Sequence, residues 1–443
     1  MTRQEFLAAA ACLTLAAVAV RGQQAAPPPP APAAPSTQSK TNLGSDPNGN
    51  PLRLALKTGH ISNYDESKVA PYTLPDPLKT TDGKPVRDAR AWASRRAEIL
   101  RLYQTEIYGR IPANAPKVSW RIGDTDPAAR EGASVMKRAI GRIGAGDDAP
   151  EIKVTIHTPS GAKTPVPIIL LVNFGGGPPP PPGAPARGSF PQDPPVAAEI
   201  LSRGWGYATV GYLDIQPDRV DTFNQGVIGR TLAAGPTQTA RSTPENDEWG
   251  TISAWAWGVS RIIDYFETDK AIDAKRIAVF GHSRLGKTVL WASALDPRIA
   301  VTFSSCAGEM GSALARRDWG ETVDDMAQNF AWQFAGNFQK WAGRWNEMPV
   351  DAHMLIALSA PRPVFVTGGT TDQWADPVGE FLSLVAAGPV YKLLGRKDLG
   401  VTALPALDTP LITGDLGYHY HTGGHTATPA DWKAFLEFAA KYF

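Results

Sequence analysis

Short apolar runs alternate along the chain with longer stretches in which apolar residues recur at helical spacing. Four continuous runs are rich in β-branched residues, a composition typical of strands that are buried on both faces; they lie at 166–174, 206–212, 276–281 and 363–369. Helical spacing marks the stretches 251–266, 287–295 and 429–443. Strands that alternate with helices predict βαβ units, and therefore an α/β fold with a mostly parallel sheet. A fifth segment, 151–159, alternates apolar and polar residues instead and predicts an antiparallel edge strand.

The amino-terminal region differs in composition from the rest of the chain. Residues 1–22 contain an Ala-rich apolar stretch of signal-peptide length, which is too short for a confident transmembrane helix. Residues 23–50 are rich in Pro, Ala and Ser and predict a disordered linker. We interpret residues 51–443 as a single catalytic domain, because the Pro-rich stretch 175–188 follows directly on a strand and indicates a loop inside it. We therefore expect an exported protein, periplasmic or extracellular, that has no stable membrane insertion after cleavage. An uncleaved anchor is the alternative.

Charge and cysteine content exclude several classes of protein. The formal net charge is +1, so a nucleic acid is a poor candidate for a partner. The chain has 2 cysteines. Cys12 would leave with the signal peptide, so Cys306 has no partner for an internal disulfide.

The stretch "AVFGHSRLGK" at 278–287 carries the first candidate for chemistry. A buried strand leads into Gly281 and Ser283, and a helical pattern follows. This strand–turn–helix context is the one that the G-x-S-x-G nucleophile elbow requires, although here the second glycine, Gly286, comes one position late. The alternative is an ordinary turn in which Ser283 caps the helix.

A serine nucleophile needs a base and an orienting acid, and α/β-hydrolases place them in the order Ser, acid, His. Asp372 follows the strand at 363–369, and His425 lies shortly before the last helix. Both therefore fall at the sheet edge where ligands bind in open α/β folds. His419, His421 and His425 have H-x-H-x₃-H spacing that could hold a metal; we expect no metal, because a hydrolase His loop accounts for them.

Several motifs together resemble a known family. They are "YGRIP" (108–112), "NFGGG" (173–177), "WGTISAWAWGVSRIIDY" (249–265), "GHSRLGK" (281–287), "GSALARRDWGE" (311–321), "APRPV" (360–364), "DQWADP" (372–377) and "GGHTATPADW" (423–432). Over roughly residues 90–443 the chain is similar to the glucuronoyl esterases, carbohydrate esterase family 15, whose form of the elbow is G-x-S-R-x-G-K. The resemblance implies an α/β-hydrolase fold, a three-layer sandwich with a mostly parallel central sheet flanked by helices.

The resemblance also implies roles for individual residues. Ser283 would be the nucleophile, Arg284 would stabilise the oxyanion and His425 would be the base. Three further residues would hold the glucuronoyl unit: Lys287, Glu321 and Trp374. The substrate would be the ester between 4-O-methyl-glucuronic acid of glucuronoxylan and an alcohol, notably of lignin. We expect no cofactor, and we expect a monomer.

The chain departs from the family at one position. Many members carry the triad acid soon after the strand that follows the elbow helix, and Cys306 occupies that place here. Other members use an aspartate in the later loop, which matches Asp372. We therefore interpret Asp372 as the acid and Glu309 as the substitute; Asp376 is more typical of a loop cap. Two other functions stay open: hydrolysis of acetylxylan or another carbohydrate ester, and a non-catalytic glycan-binding relative of the hydrolases.

Overall fold

The computed structural model describes residues 41–176, 193–234 and 241–443. Contacts group Thr41–Phe443 into one unit. The predicted signal peptide (1–22), residues 23–40 of the predicted linker and most of the Pro-rich loop at 175–188 lie outside the described residues. Among the helices in the described ranges, none combines the length and the apolar content that a membrane crossing requires.

Eleven strands are formed by the described residues. They are β1 (Asn42–Ser45), β2 (Pro51–Arg53), β3 (Val118–Ala129), β4 (Ser134–Ile143), β5 (Glu151–Pro159), β6 (Val166–Asn173), β7 (Gly206–Gly211), β8 (Ile272–His282), β9 (Ile299–Ser305), β10 (Val364–Gly369) and β11 (Leu416–His421). β6, β7, β8 and β10 confirm the four strands predicted from apolar runs.

Ten α-helices are described beside short 3₁₀ turns. They are α1 (Ala89–Glu106), α2 (Ala197–Ser202), α3 (Tyr212–Ile215), α4 (Gly226–Ala233), α5 (Thr251–Phe266), α6 (Arg284–Leu295), α7 (Val323–Asn329), α8 (Ala352–Ala357), α9 (Pro377–Leu393) and α10 (Pro429–Ala439). The predicted helix 251–266 coincides with α5. The predicted helix 429–443 ends earlier, at Ala439, as α10.

Nine of the strands form one mixed sheet, in the order β11-β10-β9-β8-β6-β7-β5-β4-β3. The six strands from β11 to β7 pair in parallel, and β5, β4 and β3 continue the sheet in antiparallel pairing. One face packs against α1, α5, α6, α8 and α9, and the other packs against α2 and α10. The sheet thus lies between two helical layers, which confirms the predicted three-layer α/β architecture.

Two predictions are corrected by this topology. β5 is antiparallel as predicted, but it is not an edge strand, because β4 and β7 pair with it on either side. The sequence could not reveal this, since β3 is exposed along most of its length and lacks a strand-like apolar pattern.

The linker prediction also extends too far: Asn42–Ser45 pairs with Pro51–Arg53, and Asp46 accepts bonds from the backbone N–H groups of Asn48 and Asn50.

The sheet order determines where the candidate residues meet. Ser283, Cys306, Asp372 and His425 follow β8, β9, β10 and β11, which are four consecutive neighbours in the sheet. Because carboxyl ends of parallel strands share one edge, these residues lie in loops at the same edge.

Candidate active site

Ser283 occupies a strained turn between β8 and α6. Its φ of 59° and ψ of −128° lie outside the regions that non-glycine residues favour. The backbone N–H of Ser283 donates to the Ser305 carbonyl at 2.8 Å, and the Ser283 carbonyl accepts from the Gly286 N–H at 2.8 Å. Hydrogen bonds from the neighbouring strand and the first helical turn therefore maintain the turn.

The glycines around Ser283 explain the late position of the second one. A Cβ on Gly281 would lie 2.1 Å from the Leu285 carbonyl oxygen, so this glycine permits the helix to approach the strand. A Cβ on Gly286 would lie 2.9 Å from the Cβ of Ala307, in the loop after β9. The second glycine is thus needed for contact with the neighbouring loop, while Leu285, fully buried, joins the core.

His425 and Asp372 form a hydrogen-bonded pair. The distance between His425 Nδ1 and Asp372 Oδ2 is 2.7 Å. The Asp372 side chain is 5% exposed and the His425 side chain 43% exposed, so the ring reaches solvent while its partner does not. The backbone N–H of Thr371 donates to the Gly423 carbonyl at 2.8 Å and ties the two loops together.

One cavity of about 180 Å³ joins Ser283 to His425. Its lining also contains Arg284, Lys287, Cys306, Ala307, Gly308, Glu321, Met326, Phe330, Gln333, Trp374 and Ala375. The structure therefore brings the candidate nucleophile, the candidate base and the three candidate sugar-binding residues to one cavity. Asp372 reaches it through His425, whereas Glu309 and Asp376 are not part of the lining.

Arg284, the first residue of α6, is held on two sides. Its guanidinium donates to Asp218 Oδ2 and lies 5.2 Å from the centre of the Phe330 ring. The other carboxylate oxygen of Asp218 accepts from Trp332 Nε1 and Gln333 Nε2, both at 2.8 Å. Asp218 therefore fixes the position of the cation, and sequence reasoning missed it. The available signal was an acid in the loops that follow the carboxyl end of β7.

Lys287, which is buried, and Glu321, which is half-buried, place two ionisable groups in the cavity wall. Lys287 Nζ donates to the Ala307 carbonyl at 2.7 Å, and burial lowers the pKa of its ammonium group. Burial raises the pKa of the Glu321 carboxyl to about 7, and the nearby charge of Lys287 opposes that rise. The Glu321 backbone N–H donates to the Trp374 carbonyl at 2.9 Å, so these two residues are positioned together.

The two other candidate acids, Asp376 and Glu309, do not contact His425: Asp376 caps a helix, and Glu309 is buried away from the cavity. Asp376 accepts from the Gly379 N–H at 2.9 Å and caps α9, as expected for a loop cap, and it also pairs with Arg317. Glu309 is 4% exposed, and within the described part of the chain its Oε1 has no hydrogen-bond partner. Burial, with further repulsion from Asp351 and Glu321, holds the pKa of the Glu309 carboxyl well above its ordinary value.

Cys306 lies beside the His425–Asp372 pair. The ligand atoms of the three side chains fall within 4.8 Å of one another. Burial raises the pKa of the Cys306 thiol well above its ordinary value, so the group is a neutral thiol; its sulfur is 3.6 Å from the Thr426 carbonyl oxygen. The two other histidines of the H-x-H-x₃-H pattern do not join this group. Nδ1 of His419 and Nδ1 of His421 lie 2.7 and 3.1 Å from Asp431 Oδ1.

Two further groups lie beside the site without lining the cavity. His282, a histidine that the sequence indicates as packed near the site, contacts the His425 ring in a tilted arrangement with ring centres 4.5 Å apart, and burial, with the adjacent His425, lowers the pKa of His282 to about 4. Glu380 on α9 accepts from the Gly308 N–H at 2.9 Å and from Ser312 Oγ at 2.7 Å. The first keeps a neutral ring behind the candidate base, and the second holds the loop after β9 against the cavity.

The sheet, the two helical layers and the strained serine between β8 and α6 place this chain among the α/β-hydrolases. A family model for fungal glucuronyl esterases matches residues 243–395. The chain is 38% identical to carbohydrate esterase MZ0003 of an unknown prokaryotic organism, over 85% of this chain and 91% of that one. It is 28% identical to the 4-O-methyl-glucuronoyl methylesterase of Schizophyllum commune, over 76% of each.

The glucuronoyl esterase structure from Solibacter usitatus superposes with a TM-score of 0.77 at 38% identity, covering 85% of this chain and all of that one. The chain therefore belongs to the glucuronoyl esterases of carbohydrate esterase family 15 and is a carboxylic ester hydrolase.

Proposed function

We propose that the protein hydrolyses the ester between (4-O-methyl-)glucuronic acid of glucuronoxylan and an alcohol such as a lignin alcohol. The observation that carries the proposal is the single cavity of about 180 Å³ that contains Ser283 and His425 beside Lys287, Glu321 and Trp374. Reactive and recognition groups thus lie within reach of one sugar ester. The curated relative from Schizophyllum commune, a 4-O-methyl-glucuronoyl methylesterase, supports this substrate class.

In the proposed reaction, Ser283 Oγ attacks the ester carbonyl while His425 accepts its proton. The backbone N–H of Arg284 lies in the first turn of α6, where helices leave N–H groups without an intrahelical partner. That N–H, together with the guanidinium held by Asp218, stabilises the oxyanion. His425 then protonates the departing alcohol, leaving a glucuronoyl ester on Ser283. Water, deprotonated by His425, releases the uronate and regenerates the serine.

Asp372 is the proposed acid of the triad. Its carboxylate accepts from Nδ1 of His425 at 2.7 Å, which leaves Nε2 as the proton acceptor and stabilises the imidazolium that forms. Glu309, the substitute named from the sequence, is buried outside the cavity lining, and burial raises the pKa of its carboxyl. Among the described contacts, the carboxylate that bonds to His425 is that of Asp372, so these contacts favour Asp372.

Recognition of the sugar is assigned to Lys287, Glu321 and Trp374. Buried polar groups that bind substrate hydroxyls reject a substrate lacking them, because those groups then lose their partners. Lys287 is 4% exposed, and the Glu321 carboxyl has a raised pKa. Binding of a ligand that covers these groups without bonding to them therefore costs free energy. An acetate ester fills the reacting centre but offers no ring to Trp374.

The protein should therefore prefer uronate esters to acetate esters. We expect kcat/KM for methyl glucuronate to exceed that for 4-nitrophenyl acetate by about 10²-fold or more. Lys287→Met should reduce this ratio by lowering only the uronate value. Equal or better hydrolysis of the acetate would favour an acetylxylan esterase, and turnover of neither ester would favour a glycan-binding protein.

Export is proposed from the amino-terminal segment alone. Residues 1–22 have signal-peptide composition, and the polymeric substrate class requires contact with material outside the cell. We expect the mature protein to act as a monomer in the periplasm or outside the cell. Cell fractionation followed by amino-terminal sequencing of the recovered protein tests both the location and the cleavage.

A further inference from the structure

A segment before α1, which turns back on itself between Leu54 and Ile61, contacts the outer side of the cavity wall. We call residues 54–66 the arm and residues 317–330 the wall segment, which includes Glu321, Met326 and Phe330 of the cavity lining. Contacts join the two along their length: Leu56 N–H to Gln328 Oε1 (2.8 Å), Thr58 Oγ1 to Asp324 Oδ1 (2.7 Å), His60 Nε2 to Asp318 Oδ1 (2.8 Å) and Arg317 to Glu66 Oε1 (2.8 Å).

The arm is bound most closely next to Glu321. The Asn63 carbonyl accepts from the Gly320 N–H at 2.9 Å, and Asn63 Nδ2 donates to the Asp318 carbonyl at 3.2 Å. The next N–H along the chain, that of Glu321, donates instead to the Trp374 carbonyl at 2.9 Å. Two consecutive N–H groups therefore bind opposite partners, the arm on the outer side and the Trp374 turn on the cavity side.

The wall segment has little freedom of its own at this point. Asp318 has a φ of 51° and Gly320 a φ of 63°, both in the left-handed region, which is disfavoured for the aspartate. A Cβ on Gly320 would lie 2.5 Å from the Gln373 carbonyl oxygen, so this turn is pressed against the loop that carries Trp374. Contacts from outside stabilise the turn in this conformation, and the arm supplies them through the ion-pair contact of His60 with Asp318 and the two hydrogen bonds of Asn63.

We propose that His60 and Asn63 are positioning residues for substrate recognition: by holding residues 318–320, they set the placement of Glu321 and Trp374 against the uronate. This inference rests on the proposed function, since it assumes that Glu321 and Trp374 bind the sugar. The contact is remote from the reacting atoms, because neither His60 nor Asn63 lines the cavity with Ser283 and His425. The arm therefore affects binding of the uronate and not the chemical step.

The test uses the full chain with His60→Gln, Asn63→Ala and the double variant, and Lys68→Ala as a matched control. Lys68 is exposed and lies just beyond the arm, 3.6 Å from Asp65. The double variant keeps the backbone bond between the Asn63 carbonyl and the Gly320 N–H and loses the two side-chain contacts with Asp318. Its KM for methyl glucuronate should rise about fivefold to tenfold, as expected for the loss of an ordinary hydrogen bond. Its kcat should change less than about twofold, because only substrate binding is weakened and the chemical step is unaffected. Values for 4-nitrophenyl acetate and for Lys68→Ala should stay at wild-type level.

Affinity measured without turnover separates the arm from the chemistry. Titration calorimetry of methyl glucuronate with Ser283→Ala, alone and combined with the double variant, should give a Kd that is weaker by the same factor. An unchanged Kd overturns the inference. A proportional fall in kcat for both esters also overturns it, since that result indicates general destabilisation. A wild-type protein that does not turn over methyl glucuronate refutes the proposed function itself, and with it the inference.

Discussion

At the scale of single residues, the proposed mechanism depends on which acid orients His425. The contact of 2.7 Å between His425 Nδ1 and Asp372 Oδ2 gives the imidazole an orienting carboxylate. Cys306 lies beside this pair and is a buried neutral thiol. It therefore contributes packing and a contact with the Thr426 carbonyl, while the proposed orienting carboxylate is that of Asp372, in the loop after the neighbouring strand β10.

Asp372→Asn should reduce kcat for methyl glucuronate by about 10²- to 10⁴-fold, because the amide neither fixes the His425 tautomer nor stabilises the imidazolium. Glu309→Gln is the matched control and should keep most of the activity, since Glu309 is buried with a raised pKa. Steady-state kinetics of both variants decide the assignment. An inactive Glu309→Gln variant together with an active Asp372→Asn variant would reverse the assignment. If only the double variant is inactive, the two acids share the role.

At the scale of elements, the elbow depends on two glycines with different neighbours. A Cβ on Gly281 would meet the Leu285 backbone at 2.1 Å, whereas a Cβ on Gly286 would meet side-chain atoms of Ala307 and Ser304 at 2.9 Å. The contact at Gly281 is closer and is made with backbone, whereas the contacts at Gly286 are longer and the nearest carbon belongs to a side chain. The two positions should therefore differ in their tolerance of alanine.

Gly281→Ala should fail to fold or should lose most of its stability. Gly286→Ala should lose about 1 to 3 kcal/mol, the usual cost of overpacking a core. Adding Ala307→Gly to Gly286→Ala should recover part of that loss, because it removes the nearest carbon. Urea unfolding followed by fluorescence measures these differences. Equal stability of the two alanine variants would show that the contacts at Gly281 are relieved by movement of the helix.

Glu380 links α9 to the loop after β9 and should make stability depend on pH. Burial raises the pKa of its carboxyl from an ordinary 4.5 to about 8. The folded protein therefore retains a proton that the unfolded chain releases, and its stability is greatest below pH 4.5. Between that pH and about 8 this single group lowers the unfolding free energy by at most about 1.4 kcal/mol per pH unit.

Glu380→Gln keeps the shape of the protonated side chain but cannot ionise. In the range from pH 5 to 8, its unfolding free energy should therefore fall less steeply than that of the wild-type protein. Parallel curves of stability against pH for the two proteins would contradict the raised pKa of Glu380.

The elements that could be predicted from the sequence are those with a local pattern of apolar residues. The apolar runs of β6, β7, β8 and β10 identify strands directly, and α5 follows from its helical spacing. β3 and β4 were missed because β3 is exposed along most of its length and most residues of β4 are half-buried, so neither strand contains a continuous apolar run. The wrong edge assignment of β5 follows from that omission.

The candidate site divides in the same way. Ser283 and Asp372 follow predicted strands and His425 precedes the predicted last helix, so their meeting at one sheet edge was foreseeable from chain order, although β11 itself was not predicted. The pairings of Asp218 with Arg284 and of Glu380 with Gly308 were not foreseeable, since the partners are separated by 66 and 72 residues. The arm was missed for the same reason: its contacts with the wall segment exist only in the folded chain.

At the scale of the whole molecule, one function is proposed for one cavity. In that proposal, the loops after β8, β10 and β11 supply the reacting groups, the wall segment and the Trp374 turn supply recognition, and the arm supports both recognition elements from outside. All these parts belong to the unit Thr41–Phe443. The claim that ester hydrolysis occurs in this cavity is therefore the one on which the remaining proposals depend.

The most direct test is hydrolysis of benzyl glucuronate by purified wild-type and Ser283→Ala proteins, with product release followed by chromatography. The account predicts turnover by the wild-type protein and a fall of at least about 10³-fold in kcat for Ser283→Ala, because loss of a triad nucleophile removes most of the rate enhancement. Circular dichroism and Tm should show that the variant is folded. Substantial turnover by folded Ser283→Ala would contradict the account, since another group would then carry the reaction.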